Sequence, residues 1–102
     1  RHGWVGDYLD PNTMLDLFVT GGGNNDGLYS NPEFDKLIEA AKTAKGADRM
    51  GILQQAEALY MGDQGSIPIY HYSNQDLIDT SKWGGWSANP IGFHPFKYIY
   101  KK

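Results

Sequence analysis

Between Ser30 and Tyr60 the apolar residues recur at the spacing of one helix face, and that stretch limits the folds open to the chain. Ser30-Asn31-Pro32-Glu33 reads as a helix start: a capping side chain, a proline in the first turn, then an acid at the positive end of the dipole. Phe34, Leu37, Ile38 and Ala41 follow as a single stripe, and Gly46 is expected to end the helix. A second helix is predicted from about Ala47 to Tyr60. Met50, Leu53, Glu57 and Tyr60 lie on one side of it, with Ile52, Ala56 and Leu59 overlapping. Only a few residues around Gly46 separate the two helices, so they should form an antiparallel hairpin.

The flanks are less regular, as 13 glycines in 102 residues would suggest. Trp4 to Tyr8 alternates large and small side chains like a short strand, and Asp10-Pro11 stops it. Period-two geometry puts Trp4 and Asp7 on opposite faces unless Gly6 makes a bulge. Met14, Leu15, Phe18 and Val19 fit one face of a short helical turn. Gly21 to Gly27 (GGGNNDG) cannot be regular structure and reads as a mobile or tightly turned loop. Ser66 to Tyr72 is rich in strand formers, but Pro68 confines it to a sheet edge. Leu77-Ile78 suggests a second short strand, Trp83 to Pro90 a loop, Phe96 to Tyr100 a final strand and Lys101-Lys102 a solvated tail.

Composition removes several kinds of chemistry. A net charge of -3 with scattered signs lacks the basic stripe that nucleic acid requires. With no cysteine there is neither a disulfide framework nor a cysteine zinc site. No apolar run approaches the roughly 18 residues of a membrane span, and no signal peptide is visible. The chain starts at Arg1 rather than Met, which reads as a piece of something longer. GGGNNDG has oxygen donors for calcium but lacks the spacing and terminal glutamate of an EF-hand. His2, His71 and His94 form no metal motif, and no nucleophile elbow, P-loop or dinucleotide fingerprint occurs. Asp7 and Asp10 could be imagined as a hydrolase dyad, but no base accompanies them. An acid at a strand end beside Trp4 could hold a small cation, although on spacing alone a simple turn is favoured. Trp83, Trp86, Tyr98 and Tyr100 could stack on sugar rings, or could simply pack.

Several motifs occur in a fixed order. Trp4-Val5-Gly6-Asp7-Tyr8 precedes Asp10-Pro11, then Asn24-Asn25 leads to Tyr29 and Asn31-Pro32-Glu33-Phe34-Asp35-Lys36-Leu37-Ile38. Ala56-Glu57 and Ile67-Pro68-Ile69-Tyr70 come next. This series resembles the carboxy-terminal part of the extracytoplasmic oligopeptide-binding proteins of ABC importers, a family with dipeptide- and nickel-binding relatives. The resemblance implies that Asp7 takes the ligand's α-ammonium group and that Trp4 lines the cleft. It implies main-chain hydrogen bonds from Val5, a ligand-carboxylate role for Arg1, and a place for Tyr72 in the first side-chain pocket. His71 departs from the tyrosine often found there and is given no role.

The implied fold class is α/β (α+β for the isolated piece). It would be the C-terminal segment of a two-lobed periplasmic-binding-protein type II fold, a helix pair flanked by strands. Residues 1–73 would belong to the second ligand-binding lobe, and residues 74–102 would cross over and return to the first lobe. The resemblance implies an oligopeptide ligand and ABC transporter permease subunits as partners. It implies no catalysis, no cofactor and no metal, and a periplasmic or lipid-anchored outer-face location. As a separate piece the chain would expose apolar surface and self-associate. The rival reading is a stand-alone aromatic-rich interaction or carbohydrate-binding module.

Overall fold

The computed structural model describes residues 4–71, 73 and 75–102; Arg1 and Tyr72, both expected at the ligand, lie outside them. The chain is a small mixture of helix and strand that divides into two compact units. Gly6–Ile69 forms one, and Arg1–Val5 with Tyr70–Lys102 the other.

The first unit is helical. Helix α1 spans Asn12–Leu15 and runs into a 3-10 turn at Asp16–Phe18; α2 spans Pro32–Thr43 and α3 spans Gly46–Gly62. Asn31 is extended, and its Oδ1 accepts the backbone N–H groups of Glu33 at 2.9 Å and Phe34 at 3.4 Å. That cap, Pro32 at the first position and Glu33 with Asp35 in the first turn are the start signals of the sequence. Phe34, Ile38 and Ala41 are the buried face of α2, as its spacing predicts.

Two details of the hairpin differ from expectation. Gly46 does not end α2; the helix stops at Thr43, Ala44 and Lys45 are extended, and Gly46 opens α3 with φ +56°. A left-handed residue at the corner suits glycine, which has no Cβ to clash. On α3 the buried stripe is Leu53, Ala56 and Tyr60, while Met50 and Glu57 face solvent. Glu57 would lose its hydration if buried without a partner, so the small Ala56 takes the seam against α2. The pair is antiparallel. Arg49 Nε donates to Ala41 O near the link, whereas the Phe34 and Tyr60 rings meet at the far end.

Tyr60 is the centre of the aromatic packing. Phe18 stacks on it at 4.3 Å, Tyr29 meets it edge-on at 4.9 Å, and Phe34 lies 5.9 Å away. Past α3, Gln64 N–H bonds to Met61 O and Gly65 N–H to Tyr60 O, which closes a Schellman turn. The left-handed position is Gln64 (φ +55°) rather than a glycine. Gly65 has its own reason: a Cβ there would overlap the Tyr60 ring.

The glycine-rich loop is tightly turned. Asn25 is buried, and its Nδ2 donates to Val19 O at 3.2 Å and Tyr29 O at 2.7 Å. Its Oδ1 accepts Tyr29 N–H at 3.0 Å. One amide thus satisfies backbone groups on both sides of the loop, from Val19 and from Tyr29.

The second unit contains the two strands assigned among the described residues, β1 (Trp83–Gly84) and β2 (Tyr100–Lys101). They are antiparallel, with Trp83 opposite Lys101 and Gly84 opposite Tyr100. The strands expected at 4–8, 66–72 and 77–78 are absent among the described residues. A strand needs a neighbour for its N–H and C=O groups, and among the described residues no strand pairs with these segments; Pro68 also withholds a donor. Phe96–Tyr98 is a 3-10 turn because Pro95 O accepts Tyr98 N–H at 3.1 Å, so only the end of the expected last strand pairs. Conversely, Trp83-Gly84 was expected as loop and is paired. Gly84 lies against the Tyr100 ring, and Gly85 (φ +82°) against the backbone of Tyr98, where a side chain would collide.

Candidate functional site

Asp7 sits on a short connection fastened at both ends. Its own N–H donates to Thr13 Oγ1 at 3.1 Å, and Thr13 is buried in α1. Three residues on, Asp10 Oδ1 accepts Asn12 N–H at 2.9 Å, and its carbonyl accepts Thr13 N–H at 3.2 Å. Arg49 of α3 then grips the Asp10 carboxylate with both Nη atoms, at 2.6 and 2.8 Å, while its Nε reaches Ala41 O at 3.1 Å. Such a fork fixes geometry as well as charge. Asp10 is therefore a structural acid that joins the Asp7 connection to the helix pair.

The Arg49 hydrogen bonds, helped by the Asn12 N–H, hold the Asp10 carboxyl below its ordinary range. Asp63 is lowered too, because its Oδ2 accepts Tyr29 OH and Asn31 Nδ2, each at 2.7 Å. The same environment pushes Tyr29 up to about 12, first by burial and then by the Asp63 contact. A depressed folded-state carboxyl stabilises the fold above its unfolded pKa, and that contribution is lost as pH falls through the folded value. The helical unit is thus expected to weaken with acid below about pH 4, the unfolded carboxylate range. Asp10→Asn should lower the thermal midpoint at pH 7, and its difference from the parent chain should close in acid. Circular dichroism melts at several pH values check this; an Asp10→Asn difference independent of pH would contradict it.

Asp7 itself is exposed, and among the described residues its carboxylate makes no hydrogen bond or ion pair. A second acid lies within reach of its field. Burial, and next the charge of Asp7, raise the carboxyl of Asp16, while Lys42 draws it back. Asp16 Oδ2 accepts Asn12 Nδ2 at 3.1 Å. Asn12 Nδ2 also donates to Tyr8 OH at 3.1 Å, and its buried Oδ1 has no partner. An unpaired carboxylate beside another acid favours a cation. Asp16 was not singled out from the sequence; its sign was the i, i+4 spacing of Asn12 and Asp16 on α1 and the turn that follows.

The remaining site candidates are placed separately. Trp4 is half-buried and Val5 is 65% exposed; both fall in the unit with the C-terminal segment, whereas Asp7 falls in the helical unit. Trp83 is exposed in β1, and Trp86 stacks on His94 with ring centres 5.1 Å apart. The glycine loop's one buried amide, Asn25, is spent on backbone, and among the described residues no three metal-ligating side chains come together. Among those residues, too, no helix is long and apolar enough to cross a membrane.

No family model matches the chain. Curated relatives do. It is 32% identical over its full length to the periplasmic oligopeptide-binding protein OppA of Salmonella typhimurium, covering 18% of that protein. It is 40% identical over 82% of its length to the oligopeptide-binding protein OppA of Bacillus subtilis, covering 16% of it. It is 49% identical over 91% of its length to a dipeptide-binding protein of Lactococcus lactis, covering 15% of it. The chain thus spans less than a fifth of the length of these relatives. Nearly all of its residues are matched by proteins of one kind, and the chain is similar to a stretch of the oligopeptide- and dipeptide-binding proteins.

Proposed function

We propose that the chain is the C-terminal part of an extracytoplasmic oligopeptide-binding protein that delivers peptides to an ABC importer. It would contribute part of the ligand cleft and no catalytic group. The observation that carries this reading is the match to peptide-binding relatives along the whole chain, with Asp7 exposed and unpaired among the described residues. In this reading the Asp7 carboxylate receives the α-ammonium group of the peptide. Trp4 lines the cleft, Val5 offers its backbone, Arg1 meets a ligand carboxylate and Tyr72 borders a side-chain pocket. Main-chain hydrogen bonds to an extended peptide give affinity without reading its sequence. Water in roomy pockets then accommodates many side chains.

Residues 1–73 are assigned to the second lobe and 74–102 to the crossover and return to the first. The break in internal contacts between Ile69 and Tyr70 supports a change of neighbours at that place. Permease subunits are the proposed partners, at the outer face of the membrane. As a separate piece, the chain is proposed to self-associate through exposed side chains such as Leu77, Phe93 and Phe96.

The ammonium assignment is tested in the intact receptor. Two unit charges about 3 Å apart at an effective dielectric near 20 attract by roughly 5 kcal/mol, before desolvation takes part of it back. Asp7→Asn removes the charge and keeps the shape. It should weaken peptide binding by at least about tenfold, or 1.4 kcal/mol, measured by titration calorimetry. An N-acetylated peptide should lose a similar factor against the parent protein and little more against Asp7→Asn. Unchanged affinity in Asp7→Asn would remove Asp7 from the ammonium site, while co-purification of non-peptide solutes alone would overturn the peptide reading.

A further inference from the structure

The C-terminal unit contains a hollow of about 260 Å³ lined by residues between Asp76 and His94. Its chemistry comes from three of them. Trp86 and His94 stack nearly parallel, 26° apart, and His94 Nε2 lies 3.6 Å from Asp76 Oδ2. His94 is largely enclosed, whereas the Asp76 carboxylate is about half exposed and keeps capacity for further donors. Asn89 shapes the rim without offering its amide. Its Nδ2 donates to Phe93 O at 3.1 Å and its Oδ1 accepts Phe93 N–H at 3.3 Å. Pro90 and Gly92 complete a turn closed by Gly92 N–H on Asn89 O at 3.0 Å.

Among the described residues no lysine or arginine lines the hollow, and its carboxylate is that of Asp76. Next to that charge stands an indole, whose ring electrons attract cations. The volume falls below the roughly 300–1,000 Å³ of sites for drug-sized ligands, so it suits a side-chain head group. We propose that the hollow formed by Trp86, His94 and Asp76 binds a guanidinium head group. The planar cation lies along the Trp86–His94 wall and donates to the Asp76 carboxylate. A guanidinium fits better than an ammonium because it is flat, weakly hydrated and carries its donors in a fork.

The test uses the 102-residue chain, with the Trp86 indole N–H followed by two-dimensional NMR. N-acetyl-arginine amide should shift that signal saturably, with a dissociation constant in the millimolar range. N-acetyl-citrulline amide, the neutral isostere, should shift it at least fivefold less at equal concentration. Asp76→Asn, a substitution at a half-exposed position, should weaken the arginine response at least fivefold. The absence of saturation, an equal response to citrulline, an equal response to glucose, or an unchanged response in Asp76→Asn would each overturn the proposal. The neutral ligand requires no variant, so a folding defect in Asp76→Asn could not obscure the result.

Discussion

Phe34→Ala should destabilise the helical unit by about 3–5 kcal/mol, the usual cost of emptying a buried phenylalanine site. Phe34 is fully buried, and its ring touches both Tyr29 and Tyr60. Truncation opens a void at the end of the hairpin where three aromatic rings depend on one another. At roughly 0.05–0.15 kcal/mol per residue, a unit of this size holds only several kcal/mol in total. The helical signal at 222 nm should therefore be largely lost at 37 °C, and at lower temperature the melting midpoint should fall by more than about 10 °C. Phe34→Leu, which fills most of the space, should cost clearly less. Lys36→Ala, on the exposed side of the same helix, should change stability by less than about 0.5 kcal/mol. A Phe34→Ala melt within a few degrees of the parent would show that the aromatic cluster does not hold the helices together.

Asn25→Ala should cost about 2–3 kcal/mol although it removes no apolar contact. The side chain is 6% exposed, and its loss strands the carbonyl and the N–H of Tyr29, while Val19 O keeps the Gly22 N–H. Unsatisfied buried groups of this kind cost about 1–3 kcal/mol, more than the hydrogen bond itself contributes. Asn25→Asp separates this account from a simple loop effect. A carboxylate keeps the acceptor but points a charge at two carbonyl oxygens, so it should be at least as harmful as alanine. Asn24→Ala, one residue earlier and exposed, should be nearly neutral. Thermal melts of the three variants decide the matter; equal, small shifts for all would mean that the loop tolerates any sequence.

How much of the fold is legible in the sequence depends on the range of the interactions. Helix α2 was legible because its cap and stripe lie within a few residues of each other, and the Asn31 cap and Phe34-Ile38-Ala41 face are found where the pattern puts them; α3, which has no side-chain cap, was legible from its apolar spacing alone. Strand pairing is not local. Trp83 finds Lys101 and Gly84 finds Tyr100 across the second unit, and nothing in either short segment announces its partner. The same holds for the Asp10–Arg49 fork, whose members are 39 residues apart. The role of Asn25 is hidden for another reason: a polar residue among glycines resembles loop filling, and only burial reveals that it organises the turn. At the candidate site, Asp7 follows from the resemblance, while its exposed carboxylate, unpaired among the described residues, and the neighbouring Asp16 emerge only in the folded chain.

The link between α2 and α3 bears on how quickly the chain finds its form. Just Ala44 and Lys45 separate the helices, so bringing their faces together costs little loop-closure entropy. Contacts so near in sequence belong to the regime in which chains fold in microseconds to milliseconds. On refolding the hairpin can therefore assemble ahead of the short ladder between Trp83–Gly84 and Tyr100–Lys101, whose strands are joined by a longer loop.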